Sequence, residues 1–308
     1  MIIDTHTHVW SYPALLNARE QISTTEDLVS FRTRYPELYA RTLREEPIDN
    51  SDQLIADMDT FGIDKAFVQA RPGAVTNDQV AQSVLKFPDR LYGLMRIGHD
   101  QEAAYEYHED PTPVRNASGD MVSYCIEELG MKGLGEIFIR ALTKEIDPEK
   151  IAADLETMMN AVDHYKVPIQ FPTAWSQFPG ALFYGNPIWV DEIAARYPEV
   201  PIILTKMGRS LMTYFEPCLT VAMRNKNVYF DVVGTNGDHL RQALDVLGSE
   251  RILFGSDWSA TWSCVRNPAP LYKIRMKILD DAHCSESERE NILCRNAARL
   301  FKLEDIKH

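Results

Sequence analysis

Eight short runs of Val, Ile, Leu, Phe and Tyr punctuate this chain, and each is followed by a segment whose apolar residues recur at helical spacing. No other feature narrows the fold so far, because repeated strand–helix units build a parallel sheet covered by helices. The runs are MIID near residue 1, KAFVQA near 65, LYGLMRI near 91, KGLGEIFI near 132, VPIQF near 167, PIILT near 201, VYFDVV near 228 and RILFG near 251. Short, nearly continuous apolar stretches are what strands buried on both faces require. In the intervening SDQLIADMDTFG, Leu54, Ile55, Met58 and Phe61 fall at offsets of one, four and seven and mark one helix face. Ser51 and Asp52 suit its N-cap and Gly62 its C-terminus. Similar patterns occur in DPEKIAADLETMMNAVDHY, NPIWVDEIAARYP, DHLRQALDVLG and the closing SESERENILCRNAARLFKL, the last expected to pack outside the barrel. Eight such pairs predict a single α/β domain, a (β/α)8 TIM barrel over residues 1–308. The length and the 45% apolar content suit one barrel at least as well as two smaller domains.

Two stretches exceed the short loops of an idealised barrel: residues 10 to about 50 after the first strand, and 99 to about 118 after the third. Loops that follow barrel strands lie on the catalytic face, so both insertions are expected to form a lid or a wall of a substrate pocket. No fixed-period repeat, low-complexity segment or Gly/Ser linker divides the chain. With 45 acidic against 32 basic residues and a formal charge of -13, extended contact with nucleic-acid phosphates or an anionic membrane is disfavoured. A small-molecule partner is the natural expectation, and a homo-oligomer is compatible with the same features. No run approaches ~20 continuous apolar residues and MIIDTHTHVW lacks a signal-peptide core, so the chain reads as cytoplasmic. Cys125, Cys218, Cys264, Cys284 and Cys294 show neither metal-finger spacing nor a disulfide framework, and read as reduced packing residues.

The strongest local signal is Asp4-Thr5-His6-Thr7-His8 at the end of the first run. Strand residues two apart point to the same side, so both imidazoles can face one ion, with Asp4 orienting them or a neighbouring strand. An isolated H-x-H is weak, since two polar residues at a strand end satisfy it too. The second signal is Arg251-Ile252-Leu253-Phe254-Gly255-Ser256-Asp257-Trp258, where a buried strand runs straight into a turn and places Asp257 at its exit. A carboxylate there can bind a metal or act as a general base, although it could equally cap the next helix.

With these two signals at the first and eighth strands, the sequence resembles the amidohydrolase superfamily, and most closely its branch of decarboxylases and hydrolases related to aminocarboxymuconate semialdehyde decarboxylase. The resemblance spans IDTHTHVW, the strand–helix order and RILFGSDW. It implies one divalent metal, commonly zinc, on His6, His8 and Asp257, with Asp257 also handling protons. Two positions depart from the family pattern. Where the fifth strand of relatives ends in a metal-binding His, this chain has Pro172, and where the sixth ends in a His, it has Lys206. Either the metal persists with another ligand, for which Glu136 is the best candidate, or the Lys206 ammonium replaces the ion's charge and pairs with Asp257 in a metal-free enzyme. His99 and His239 also follow strands but read as loop histidines.

Arg71, Arg140, Trp175 and Trp258, with Gln69 and Arg96, lie at strand ends where they can bind substrate. Arginines near the mouth suit a carboxylated molecule. The expected function is a metal-dependent hydrolase of a small carboxylated substrate, with Asp257 as base and Lys206 as electrophile or anchor. Two readings stand beside it: a decarboxylase using the same site, and a non-catalytic barrel that binds a ligand in the old pocket.

Overall fold

A computed structural model of the chain describes residues 1–17, 22, 27, 30–42, 45–70, 75–97, 118–139, 142–174, 180–259, 271–303 and 306. All eight apolar runs become strands: β1 (Ile3–Val9), β2 (Lys65–Ala70), β3 (Leu91–Gly93), β4 (Leu134–Glu136), β5 (Ile169–Pro172), β6 (Ile202–Thr205), β7 (Val228–Asp231) and β8 (Ile252–Leu253). Every pairing is parallel and follows chain order, in one sheet of β1-β2-β3 and another of β4 to β8. Parallel bridges join the two sheets at both seams, Met95 to Leu134 and Thr7 to Trp258. With helices between successive strands, this is the (β/α)8 architecture.

Two registers are irregular, and both irregularities fall beside residues that matter below. An extra residue is inserted in β1 between Asp4 and Thr7, and in β4 between Leu134 and Glu136. A bulge re-aims the side chains that follow it, so His6 on β1 and Glu136 on β4 are turned by local breaks in the ladder.

The apolar faces separate into two layers. One large cluster fills the space between strands and helices and includes Leu54, Met58, Val80, Ile151, Met159, Ile193, Phe215 and Leu240. A second cluster combines Ile3, Phe67, Leu94, Ile203 and Leu253 from the strands with Ala297, Ala298, Leu300, Phe301 and Leu303. The closing segment therefore does more than pack on the outer surface, as its amphipathic pattern suggested. Phe301 packs tilted against Phe67 at 4.0 Å between ring centroids and closes the cluster around Ile3, Leu94 and Leu253. The helix over Ser51–Phe61 also begins one residue earlier than its pattern implied: Asn50 occupies the cap position, Asp49 accepts from Ser51 N–H at 2.9 Å, and Gly62 ends the helix at φ 68°.

Above the apolar plug lies a hydrogen-bonded polar layer. Gln69 of β2 donates to Gln170 of β5 at 3.3 Å, and Gln170 donates to the Thr5 carbonyl at 2.8 Å. The Glu136 N–H donates to Gln69 Oε1 at 2.5 Å. Gly135 has to be glycine here, because a Cβ at that position would sit 2.0 Å from Gln69 Oε1. Buried amides satisfied in this way are rigid, and they form the floor on which Glu136 stands.

The insertion after β1 is clipped at its ends, where Ser11 and Ile48 exchange backbone bonds of 3.0 and 2.9 Å. It carries its own small cluster of Tyr12, Ile22 and Phe31 with Tyr35, Leu38 and Tyr39. Most of the insertion after β3, residues 98–117, lies outside the described residues. Cys125, Cys218, Cys284 and Cys294 are free thiols; Cys264 lies outside the described residues. Among the described residues no helix is long and apolar enough to cross a membrane.

The plug is testable. Phe301 is 3% exposed, and Phe301→Ala should lower unfolding stability by about 3–5 kcal/mol in denaturant titrations, while leaving the metal stoichiometry of the folded protein unchanged.

Candidate metal centre

At the opposite end of the strands, His6, His8, Glu136 and Asp257 each offer one ligand atom, and these atoms lie within 4.8 Å of one another. His6 Nε2 is 3.6 Å from both Glu136 Oε2 and Asp257 Oδ1. His8 Nε2 is 3.3 Å from Asp257 Oδ1 and 3.7 Å from Glu136 Oε2. Donors about 2.1 Å from a tetrahedral ion are separated by roughly 3.4 Å, so four atoms at these spacings fit around one metal.

The imidazoles are held in the tautomer a metal needs. His6 Nδ1 lies 2.7 Å from Asp231 Oδ2 and His8 Nδ1 3.3 Å from the Ala70 carbonyl. Both Nδ1 atoms thus donate to oxygen, and both Nε2 atoms are directed inward. His6 Nε2 is buried with no hydrogen-bond partner, as expected of an atom shaped for an ion. The donor set of two imidazoles and two carboxylates suits a divalent cation.

Asp4 does not orient the histidine rings. Its carboxylate accepts from His6 N–H at 3.1 Å, Ser256 N–H at 3.0 Å and Ser256 Oγ at 2.5 Å, which ties β1 to the turn after β8. Burial raises the Asp4 carboxyl to about 6 against these bonds. The carboxylate behind His6 is instead Asp231 at the end of β7. It also accepts from Lys206 N–H at 2.7 Å and from Val233 N–H at 3.1 Å. In sequence Asp231 is marked only as an acidic residue ending the apolar run VYFD.

Lys206 is 5% exposed and stands behind the two carboxylates. Its ammonium hydrogen-bonds Glu136 Oε1 and lies 3.7 Å from Asp257 Oδ2. Each carboxylate therefore turns one oxygen to the imidazoles and the other to the ammonium. Lys206 pairs with Asp257 as expected, and more tightly with Glu136. Burial would raise both acids, but Lys206 and the nearby histidines hold Glu136 and Asp257 well below the usual carboxylate range.

The remaining candidates divide sharply. Trp258 is 1% exposed and donates its indole N–H to Asp57 at 2.7 Å, so it is part of the wall and faces no opening. Gln69 belongs to the polar floor. Arg96 is buried, donates to the Ala70 carbonyl at 3.0 Å and lies over the Phe138 ring. His239 stacks flat on Phe215 at 4.1 Å and is not among the four converging residues. Arg71, His99, Arg140 and Trp175 lie outside the described residues. Arg209 and Arg275, which stand out in no sequence motif, bring two further positive charges near Asp257 and Asp231.

An eight-stranded parallel fold with a buried two-histidine, two-carboxylate centre at the strand ends defines a class of barrel with a metal-ligating donor set. The family model described as Amidohydrolase matches residues 3–303, and the chain belongs to that family. The resemblance read from the two terminal motifs is thereby borne out. No curated protein sequence gives a significant match. Among solved structures, an uncharacterised TIM-barrel protein from Bordetella bronchiseptica is similar at 18% identity and TM-score 0.66, covering 98% of each chain. A 5-carboxyvanillate decarboxylase from Novosphingobium aromaticivorans, with bound manganese and a nitrobenzoic acid, is similar at 18% identity and TM-score 0.63, covering 98% of this chain and 97% of that one. A dihydroxybenzoic acid decarboxylase from Polaromonas sp. JS666, with manganese and 2-nitroresorcinol, gives 19%, 0.63 and the same coverage. A probable 2-pyrone-4,6-dicarboxylic acid hydrolase from Acinetobacter baumannii gives 15% and 0.58, covering 98% of this chain and 99% of that one.

Two predictions follow from the histidine geometry. Burial and Lys206 oppose charge on His6, but Glu136 and the Asp231 hydrogen bond outweigh them and raise it to about 9, whereas burial lowers His8 to about 4. In the metal-free protein, His6 therefore holds a proton below pH 9 that an incoming ion must displace, and His8 holds none above pH 5. Affinity for a divalent ion should climb from pH 6 to 9, and calorimetry in two buffers near pH 7 should record release of about one proton per ion. Asp231→Asn should weaken metal binding by roughly 10- to 100-fold in equilibrium dialysis with the fold intact.

Proposed function

We propose that this chain is a divalent-metal-dependent decarboxylase of a small carboxylated aromatic compound. The carrying observation is the split use of Glu136 and Asp257, with one oxygen of each facing His6 and His8 and the other facing Lys206. The arrangement reconciles the two alternatives posed by Lys206. The ammonium lies outside the ligand polygon with carboxylates interposed, so a metal and a lysine can occupy one site without direct repulsion. Zinc is the expectation from the family resemblance, and manganese is the ion bound in two of the similar structures. Either would supply a Lewis acid for the substrate's oxygen atoms.

The protein's own residues do the rest. His6 and His8 fix the donor geometry through Asp231 and the Ala70 carbonyl. Lys206 keeps Glu136 and Asp257 ionised and gives an anionic substrate a positive neighbour. Asp257, the most exposed of the four at 14% of its side chain, takes a proton from the substrate's hydroxyl or from solvent. It returns that proton to the ring carbon as the bond to the carboxylate breaks and carbon dioxide leaves. Within a single domain over residues 1–308, the described part of the insertion after β1 is proposed as one wall of the site.

Hydrolysis stood first in the sequence analysis. It keeps one point in its favour: Asp257, held well below the usual carboxylate range by Lys206 and His8 despite burial, is a ready base toward water. Decarboxylation is preferred because four similar structures with aromatic ligands carry that activity in their names, against one probable hydrolase at lower similarity.

Incubation of manganese- or zinc-loaded protein with hydroxylated benzoates in oxygen-18 water separates the two. The proposal expects carbon dioxide with no label in the aromatic product and loss of turnover in Asp257→Asn. No carbon dioxide from these benzoates, together with label entering the carboxylate released from a carboxylated aromatic lactone, would establish hydrolysis instead.

A further inference from the structure

The chain directly after β6 is left-handed for five consecutive residues: Lys206 at φ 71°, Met207 at 41°, Gly208 at 72°, Arg209 at 50° and Ser210 at 62°. Four of these are not glycine, and for such residues the left-handed region is unfavourable. The turn persists because its surroundings determine it. Lys206 N–H donates to Asp231 at 2.7 Å, Gly208 N–H to Thr173 Oγ1 at 2.9 Å, and Ser210 Oγ to the Gly234 carbonyl at 3.1 Å. Leu211 N–H closes it on the Gly208 carbonyl at 3.0 Å. Only glycine fits at 208, because a Cβ there would lie 2.5 Å from Phe215 N and 2.7 Å from Tyr214 C.

In a tight helical turn of either hand, residues three apart share a face. Lys206 uses that face to reach Glu136, and the residue three along is Arg209. Its stem packs against Gly234, where a Cβ would meet Arg209 Cγ in ordinary contact at 3.4 Å. The guanidinium is electrostatically coupled to Asp257, Glu136 and Asp231, and the residue is half-buried where Lys206 is buried.

Charge gives this placement a purpose. Once an ion has displaced the proton on His6, Glu136, Asp231 and Asp257 are offset by Lys206, Arg209 and Arg275. A divalent ion then leaves a surplus of two positive charges in a poorly solvated site, which an anionic ligand removes. We infer that Arg209, presented by the left-handed turn beside Lys206, is the seat of the substrate's carboxylate and sets the orientation in which the ring meets Asp257. The inference rests on the reading of the centre as one that takes carboxylated aromatics, and it stands whether the reaction is decarboxylation or hydrolysis.

The test measures binding and needs no turnover. Manganese-loaded protein is titrated with 2-hydroxybenzoate against phenol, and with benzene-1,3-dicarboxylate against benzoate. Wild type should prefer the more carboxylated member of a pair. Arg209→Met should weaken that member on the order of 10- to 100-fold, leave its partner within about twofold, and leave the bound manganese unchanged. Arg209→Lys should restore part of the loss, because the charge returns without the planar fork. If Arg209→Met does not fold, Arg209→Lys decides alone by a loss confined to the more carboxylated member. Equal losses for both members, no loss, or no carboxylate preference in wild type would overturn the inference. Carbon dioxide release is scored separately, so a carboxylate seat at Arg209 without decarboxylation would remove the proposed reaction and keep the seat.

Discussion

Three backbone hydrogen bonds zip the first strand to the exit of the last: Thr5 N–H to Phe254 O at 2.9 Å, Asp257 N–H to His6 O at 2.9 Å, and His8 N–H to Trp258 O at 2.7 Å. Everything at the centre depends on this seam, because it sets His6, His8 and Asp257 side by side across about 250 residues of chain. Asp4 reinforces it from within by binding both the backbone and the hydroxyl of Ser256. A carboxylate at 0% exposure is costly to bury unless its oxygens are satisfied. Here satisfying them and joining the seam are the same act. The aspartate of the D-x-H-x-H run is therefore a structural latch, and its orienting counterpart comes from β7.

That seam assembles more negative charge than a buried site tolerates alone. Glu136, Asp231 and Asp257 converge in a largely buried region, and two like charges about 4 Å apart repel by about 4 kcal/mol even at an effective dielectric of 20. Lys206 answers part of this and His6 another part. The lysine thus has a role before any substrate arrives: it keeps Glu136 and Asp257 ionised and aimed, which a neutral histidine at the same position would do less well. A divalent ion replaces the proton on His6, while Lys206 keeps its own oxygens. On this view the lysine supports the metal ligands from behind.

What could be read in advance follows from the range of each interaction. The strands were legible because burial on both faces imposes an apolar run on each, and His6, His8 and Asp257 were legible because strand ends of a barrel open on one face. Glu136 was reached through the same logic once Pro172 removed a ligand. Asp231 was not, since a single acid after an apolar run looks like any strand ending, and its partner His6 is 225 residues away. The closing segment showed its amphipathic face but not its second target, the barrel interior around Phe67, which Phe301 reaches while Ile292 joins the outer layer. Arg209 was invisible for another reason. Its placement depends on a left-handed backbone, and apart from Gly208 nothing in Lys-Met-Gly-Arg-Ser announces one.

The backbone itself marks the functional end. Trp10 follows β1 at φ 64°, Ala174 follows β5 at 65°, Lys206 begins the turn after β6 at 71°, and Asp257 follows β8 at 61°. All four are non-glycine residues in a region that side chains avoid, and all four stand where a strand leaves the barrel. Two of the four, Lys206 and Asp257, carry side chains that reach the centre, whereas the Trp10 indole donates to the Gln79 carbonyl at 2.9 Å. The strain is held by cross-strand bonds such as Asp257 N–H to His6 O and Lys206 N–H to Asp231. The packing that stabilises the barrel and the distortion that aims its reactive groups are thus supplied by the same hydrogen bonds. Weakening those bonds would relax the centre before it unfolded the protein.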